Sequence, residues 1–279
     1  MPELPEVETI KNAVQKTFAG AKIEKAVVRQ PKLRESVPAD FVNKIEGATF
    51  VGFKRIAKYM LTELDNGLTI IWHFGMSGKI RTETDIDANP QKHDHILLQT
   101  TKGALIYNDP RRFGLVTITE STSLKKHHLL QHLGCDPWDK ELTTAYLLQK
   151  FAHKKCAIKL ALLDQTIICG IGNIYASEIL YLARILPNRA AESISKEEAE
   201  LLIKYTRIVL EKAIEAGGST IHDYVHPDGK TGYFQESHCV YNKTGLRCPQ
   251  CVCDLAHTGG IKKVVLGGRS TFYCATLQK

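Results

Sequence analysis

From about residue 21 to residue 120 the chain repeats short apolar runs: KIEKAVVRQ, ATFVGFKRI, LTIIWHFGM, HDHILLQT, GALIYND and GLVTIT. Several alternate in polarity, and Gly, Asn and Asp separate them. Successive side chains of a strand point to opposite faces, so each run can bury one face. Several such runs at this spacing are best satisfied by a sandwich or a barrel.

Helical patterns flank this region. Residues 5–18 read as a helix with Pro5 in its first turn and Gly20 beyond its end. Val7, Ile10, Val14 and Phe18 recur at three- and four-residue spacing and give it one apolar face. After about residue 124 helical texture takes over, in KELTTAYLLQKFA and most clearly in SISKEEAELLIKYTRIVLEKAIEAGG. Ser195 and Glu198 there form a capping-box pattern, Leu201, Leu202, Tyr205, Ile208 and Val209 supply the face, and Gly217-Gly218 ends it. The tail is cysteine-rich, with a hairpin pattern around GGIKKVVLGGRSTFYC. The expected fold is therefore α+β. A β-sandwich with flanking helices covers 1–123, a linker 124–134, a helical domain 135–235 and a finger-like hairpin module 236–279.

At 279 residues the chain suits two domains better than one core, and 43% hydrophobic with 24% charged residues is ordinary globular composition. No apolar run approaches a membrane span, and the acidic start is unlike a cationic signal peptide. A cytoplasmic protein is expected. The net charge of +7 is compatible with a polyanionic partner without establishing one. Of eight cysteines, Cys135, Cys156 and Cys169 are scattered, whereas Cys239, Cys248, Cys251, Cys253 and Cys274 crowd the tail. In a reducing cytosol such a cluster points to metal before disulfide.

The first residues, MPELPEVETI, carry a chemical possibility. Once Met1 is removed, Pro2 has a free secondary amine. An α-amino group titrates near about 7.7–8.0, against about 10.4 for lysine, so much more of it is neutral and nucleophilic at pH 7. Attack on a sugar C1′ would give an iminium ion that acts as an electron sink, with Glu3 beside it to move protons. Taken alone, these residues read equally as a helix start whose acids are favoured by the dipole.

The string PELPEVE, with RIAKYM (55–60), HFGMSG (73–78), KHDH (92–95), NDPRRFG (108–114), GIGNIYASE (170–178), DGKTGYF (228–234) and GRSTFYC (268–274), resembles the bacterial formamidopyrimidine-DNA glycosylase family, block by block and in order. The resemblance implies a monomeric base-excision-repair enzyme, both hydrolase and lyase, acting on damaged double-stranded DNA in the nucleoid. Pro2 is then the Schiff-base nucleophile, Glu3 the acid that assists ring opening, Lys58 a proton donor and Arg269 the phosphate contact tied to the last elimination. Glu6 would support the site. Met76, Arg111 and Phe113 match residues that fill the gap left by an extruded nucleotide, an extrusion costing roughly a few kcal/mol. His73, His93, Lys154, Lys159, Asn173 and Tyr175 match DNA contacts, the last four in a helix–two-turn–helix motif. Lys230 and Tyr233 fall in a loop matched to lesion reading. GIGN is a weak nucleotide-fold signal, and a phosphate-cradling turn before a helix is the better reading.

The tail departs from the family pattern, which is C-x2-C, sixteen residues, then C-x2-C. Cys248 and Cys251 open it correctly, but Cys274 follows twenty-two residues later and Leu277 stands at the fourth cysteine position. Zinc (Zn2+) normally takes four N or S ligands, so Cys253 is the nearest candidate for the fourth, with His257, His238 and Cys239 behind it. A metal-free finger standing on hairpin packing is the alternative. No redox cofactor or magnesium is implied. Two rival functions stay open: an endonuclease VIII-like enzyme for oxidised pyrimidines, which usually opens PEGPE rather than PELPE, and an inert damaged-DNA binder. The latter has no chemical need for Pro2, Glu3 and Lys58 together.

Overall fold

The computed structural model describes residues 2–219, 234–252 and 254–279. The chain forms two compact units, Met1–Gln131 with Ala216–Gln235, and His132–Glu215 with Glu236–Lys279. Residues 216–219 and 234–235, which the sequence places in the helical domain, thus group with the first unit.

The first unit begins with α1 (Leu4–Phe18), whose Val7, Ile10, Val14 and Phe18 are all fully buried, as their spacing requires. The next elements are β1 (Ile23–Val28), α2 (Phe41–Ile45), β2 (Phe50–Ile56), β3 (Tyr59–Leu64), β4 (Leu68–His73), β5 (Lys79–Glu83), β6 (Asp94–Thr100), β7 (Gly103–Asn108) and β8 (Leu115–Glu120). They pair antiparallel into two four-stranded sheets, ordered β1-β6-β7-β5 and β2-β3-β4-β8. One core joins both sheets and α1: Ile96, Leu98, Leu105 and Tyr107 from the first sheet meet Phe50, Met60, Ile70 and Trp72 from the second. This is the expected sandwich. Strands β3 and β5 lie outside the runs that the sequence marks as strands.

The second unit contains α3 (Thr144–Phe151), α4 (Ile158–Leu163), α5 (Asn173–Leu182), α6 (Lys196–Glu215), α7 (Leu255–Thr258) and the hairpin β9 (Lys262–Leu266) with β10 (Arg269–Tyr273). The capping box of α6 is present: Ser195 N–H donates to Glu198 at 2.9 Å, and Glu198 N–H donates to the Ser195 hydroxyl at 3.2 Å. Its buried face is rotated from the expected one. Ala199, Leu202, Ile203, Thr206, Val209, Leu210 and Ala213 lie inward and Leu201 is exposed, because small side chains and one threonine complete the stripe. Helix α5 is buried on every side from Ile174 to Tyr181, the signature of a central helix. Among the described residues no helix is long and apolar enough to cross a membrane.

Candidate active site and metal centre

In the first unit, the chain enters α1 through Pro2 and Glu3, both buried. Glu3 is the N-cap, and Glu6 three residues on completes a capping box. One oxygen of the buried Glu6 carboxylate accepts the Glu3 N–H at 2.8 Å, and the other accepts the Ser219 N–H at 2.8 Å. Gly218, at φ 78°, lies so close that a Cβ there would sit 3.0 Å from Glu6 Oε1. Glu6 therefore fixes the start of α1 from both sides.

Lys58 sits in the two-residue turn between β2 and β3, closed by the Ile56–Tyr59 pair. Ala57 adopts φ 52°, which costs an L-residue roughly 1–2 kcal/mol. Arg55 stabilises the turn, donating to the Ala57 carbonyl at 3.1 Å and to Glu8 of α1 at 2.9 Å. The lysine is only 8% exposed and is held relative to the same helix that carries Glu3.

His73 ends β4 and faces Tyr59 across the ladder at 4.9 Å between ring centroids. Burial first, then the charges of Arg34 and Lys58, push its pKa down to about 3. The ring is neutral, and its Nδ1 accepts the Gly75 N–H at 3.0 Å, so Nε2 carries the proton and is a donor. The sign of the linkage follows. The unfolded chain takes up a proton near pH 6.5 that the folded chain refuses, so stability falls as pH drops from there toward 3. Between about pH 7 and pH 5 this one group accounts for a loss of about 2 kcal/mol. Urea unfolding at both pH values is expected to show His73→Gln losing less stability than wild type by about that amount. Equal losses would contradict the assignment.

Met76, Arg111 and Phe113 come from two adjacent loops. Met76 is 39% and Phe113 47% exposed, unusual for such side chains, and the Arg111 guanidinium lies 4.8 Å over the Phe113 ring. The loops touch at Gly75, where a Cβ would come within 2.4 Å of the Phe113 carbonyl carbon. Asp109, fully buried, holds them together. It accepts from the Ser77 hydroxyl (2.6 Å) and from the backbone N–H groups of Arg111 (3.2 Å) and Gly114 (2.9 Å), while its carbonyl bonds the His95 ring at 2.8 Å. His93 is half-buried beside this hub, its carbonyl accepting the Asp109 N–H at 3.1 Å. Nothing in the sequence singles out Asp109, although it stands inside NDPRRFG.

In the second unit, two expected DNA contacts lie inside. Lys159 is fully buried, and its ammonium donates to Asn173 Oδ1 (2.6 Å), the Ser270 carbonyl (3.0 Å) and the Thr271 hydroxyl (2.8 Å). An ammonium has three donors, so none remains for a phosphate. Tyr175 is likewise fully buried in α5. Lys159 instead positions Asn173, the first residue of α5, whose Nδ2 also donates to the Ser270 carbonyl at 3.0 Å. That carbonyl belongs to the residue after Arg269, so Asn173 and the exposed Arg269 share one corner, at a helix N-terminus that favours anions. Lys154 is half-buried and 3.6 Å from Asp164. Lys230, Tyr233 and Cys253 lie outside the described residues.

Three sulfurs converge. The Sγ atoms of Cys248, Cys251 and Cys274 lie within 4.8 Å of one another, with Cys251 and Cys274 at 3.7 Å. A tetrahedral zinc with bonds of about 2.3 Å sets its sulfurs about 3.8 Å apart, so the spacing fits that metal. Burial opposes ionisation of Cys248, but hydrogen bonds involving Tyr181, the Gln250 backbone and the other two thiols outweigh it and hold its thiol below the usual range. The other candidate ligands are placed differently. His257 is exposed and bonds Asp254. Burial and then the charge of Glu178 push Cys239 up to about 12. Burial and Lys243 push His238 down to about 4. Leu277 packs against the cysteine cluster. Glu178 of α5 closes the GIGNIYASE block but has no role assigned from the sequence; its buried carboxylate accepts the N–H groups of Cys239 (2.7 Å), Val240 (3.0 Å) and Tyr241 (2.8 Å).

Known proteins match this chain throughout. Residues 1–116 match the formamidopyrimidine-DNA glycosylase N-terminal domain and residues 133–225 the H2TH domain of formamidopyrimidine-DNA glycosylase. The formamidopyrimidine-DNA glycosylase of Rhodospirillum rubrum is 41% identical over 281 residues, covering all of both chains. That of Hydrogenovibrio crunogenus is 42% identical over 280 residues, covering 100% of this chain and 97% of its own. Among solved structures, the MutM (Fpg) protein of Thermus thermophilus is 34% identical with TM-score 0.87, covering 99% of this chain and 98% of that one. A Lactococcus lactis Fpg mutant bound to DNA containing Fapy-dG superposes over all of both chains at 33% identity and TM-score 0.90. Wild-type Lactococcus lactis Fpg bound to DNA containing an oxidised pyrimidine does so at 32% and 0.89.

Proposed function

Since the chain belongs to the formamidopyrimidine-DNA glycosylase family, DNA glycosylases of base excision repair, we propose that it removes oxidised purines, 8-oxoguanine opposite cytosine and ring-opened formamidopyrimidines, and then cuts the strand as an AP lyase. The Pro2 nitrogen attacks C1′ and the glycosidic bond breaks, expelling the base. Glu3 moves the proton that opens the sugar ring and leaves an iminium ion. Lys58 donates a proton during β-elimination. A δ-elimination follows at the phosphate held by Arg269, leaving a one-nucleotide gap with phosphate ends.

The observation that carries this reading is the anchored start of α1. Pro2 precedes an N-cap glutamate whose backbone is pinned by Glu6, and Glu6 is pinned in turn by Ser219. A nucleophile so placed has little freedom to lose on reaching its target, which is the proximity advantage enzymes use. Met76, Arg111 and Phe113 fill the vacated stack, Lys230 belongs to the loop that reads the lesion, and His73, His93, Asn173 and Lys154 hold the DNA backbone, contacts that set register and carry no sequence information. Lys159 acts through Asn173. Zinc held by Cys248, Cys251, Cys274 and Cys253 would supply structural cross-linking of the finger, with no part in the bond-breaking steps. The protein works as a cytoplasmic monomer on the nucleoid.

The oxidised-pyrimidine complex of the Lactococcus lactis relative supports a second, slower substrate class. Single-turnover cutting of duplexes with 8-oxoguanine opposite cytosine and with thymine glycol opposite adenine separates the two. Faster cutting of the first is expected, and the reverse order would overturn the purine assignment.

A further inference from the structure

Tyr181 is fully buried, and among the described residues its hydroxyl has a single hydrogen-bond partner, the Cys248 sulfur at 3.2 Å. A buried phenol usually finds an oxygen acceptor, because an unmade hydrogen bond costs about 1–3 kcal/mol. A thiol sulfur is a weak acceptor, whereas a hydrogen bond to an ionised acceptor is roughly twice as strong as a neutral one. The hydroxyl is therefore aimed at an atom that rewards it most as a thiolate.

The surroundings make that charge matter. The thiolates of Cys248, Cys251 and Cys274 already outweigh a divalent cation by one negative charge, Cys253 would add a second, and the cluster is set among Val240, Ile261 and Phe272. Leu277, at the position of a fourth cysteine, offers neither ligand nor donor. Helix α5 answers with two polar groups spaced three residues apart, and so on one face. Glu178 fixes the backbone of residues 239–241, and Tyr181 reaches the sulfur itself. We infer that Tyr181 is a positioning residue of the metal centre, its O–H donating to the metal-bound Cys248 thiolate to fix that sulfur's direction and disperse its charge. The inference rests on the zinc reading above. It ties the metal to the same helix whose first residue, Asn173, holds the Arg269 corner.

Zinc affinity by chelator competition and the thiolate-to-metal absorption of the Co2+ form test it on the full chain, with wild type, Tyr181→Phe and Tyr181→Trp. Loss of such an outer partner typically weakens metal binding about 10–100-fold, and that is expected for Tyr181→Phe, with a shifted charge-transfer band. Tyr181→Trp, which keeps an N–H donor, is expected to retain more affinity than Tyr181→Phe, and Tyr181→Leu replaces it as the donor-free reference should the phenylalanine variant fold poorly. If Tyr181→Phe matched wild type in affinity and spectrum, the role would be refuted while the zinc reading survived. If wild type took up no zinc or cobalt, both would fall together.

Discussion

Pro2→Gly is expected to lower sharply the yield of the borohydride-trapped adduct with an abasic duplex, and Glu3→Gln to slow base excision by about 10²–10⁴-fold, the usual worth of a positioned proton-transfer group. The first substitution replaces the secondary amine with a primary one, whose iminium ion can lose its N–H proton to give a neutral imine and so forfeits the fixed positive charge that makes the proline adduct an electron sink. The second keeps size and capping geometry but cannot carry a proton. Pro2→Gly leaves the bonds from Glu6 to the backbone N–H of Glu3 and of Ser219 in place, and Glu3→Gln keeps a side-chain oxygen to accept the Glu6 N–H in the capping box. Melting temperatures close to wild type are therefore expected, so that lost activity reports chemistry. Trapping by Pro2→Gly at wild-type yield, with the adduct mapped to a lysine, would assign the nucleophile elsewhere.

Metal removal is expected to have the second largest effect. Structural zinc in small fingers contributes about 10–16 kcal/mol of apparent binding energy, and here the three converging cysteines come from both ends of the module. Cys274 directly follows β10, whose first residue is Arg269. Stripping the metal, or replacing Cys248 by serine, should lower affinity for abasic DNA at least about tenfold, which is the loss of one charge-assisted phosphate contact. The collapse should be partial. Lys159 and Asn173 still grip the Ser270 carbonyl, and Gln278 still ties the Cys274 N–H (2.8 Å) to the Ile185 carbonyl (2.8 Å). Full DNA affinity in protein shown by metal analysis to be zinc-free would contradict the account. Cys253→Ser asks separately whether that residue is the fourth ligand.

The elements that the sequence announces are those whose signal is local. Helix α1 is legible because one face carries all its apolar residues, and six strands are legible from alternation and turn residues. The two remaining strands of the sandwich lack those cues. In β3 (YMLTEL) most residues are buried, because it lies between β2 and β4, so its polarity barely alternates. Strand β5 (KIRTE) is a short edge strand dominated by charge, and among the described residues it pairs with β7 alone.

The site shows the same division. Pro2, Glu3, Lys58, Met76, Arg111 and Phe113 stand out because their motifs are contiguous. The supporting contacts are silent, since their partners are distant in the chain: 213 residues separate Ser219 from Glu6, 111 separate Lys159 from Ser270, and 61 separate Glu178 from Cys239. A lysine between isoleucine and leucine reads as a surface charge. Only the fold reveals that Lys159 is surrounded by three acceptors. Tyr175 misleads for a related reason, because the helix that begins at the GIGN turn is buried on all sides and leaves its first residue, not its third, at the edge.

The most direct test of the central claim is mass spectrometry of the purified protein, before and after borohydride reduction with an abasic strand. The account predicts that Met1 is absent and that the added deoxyribose fragment maps to the Pro2 nitrogen. A retained Met1, or an adduct on Lys58 or any other lysine, would contradict it.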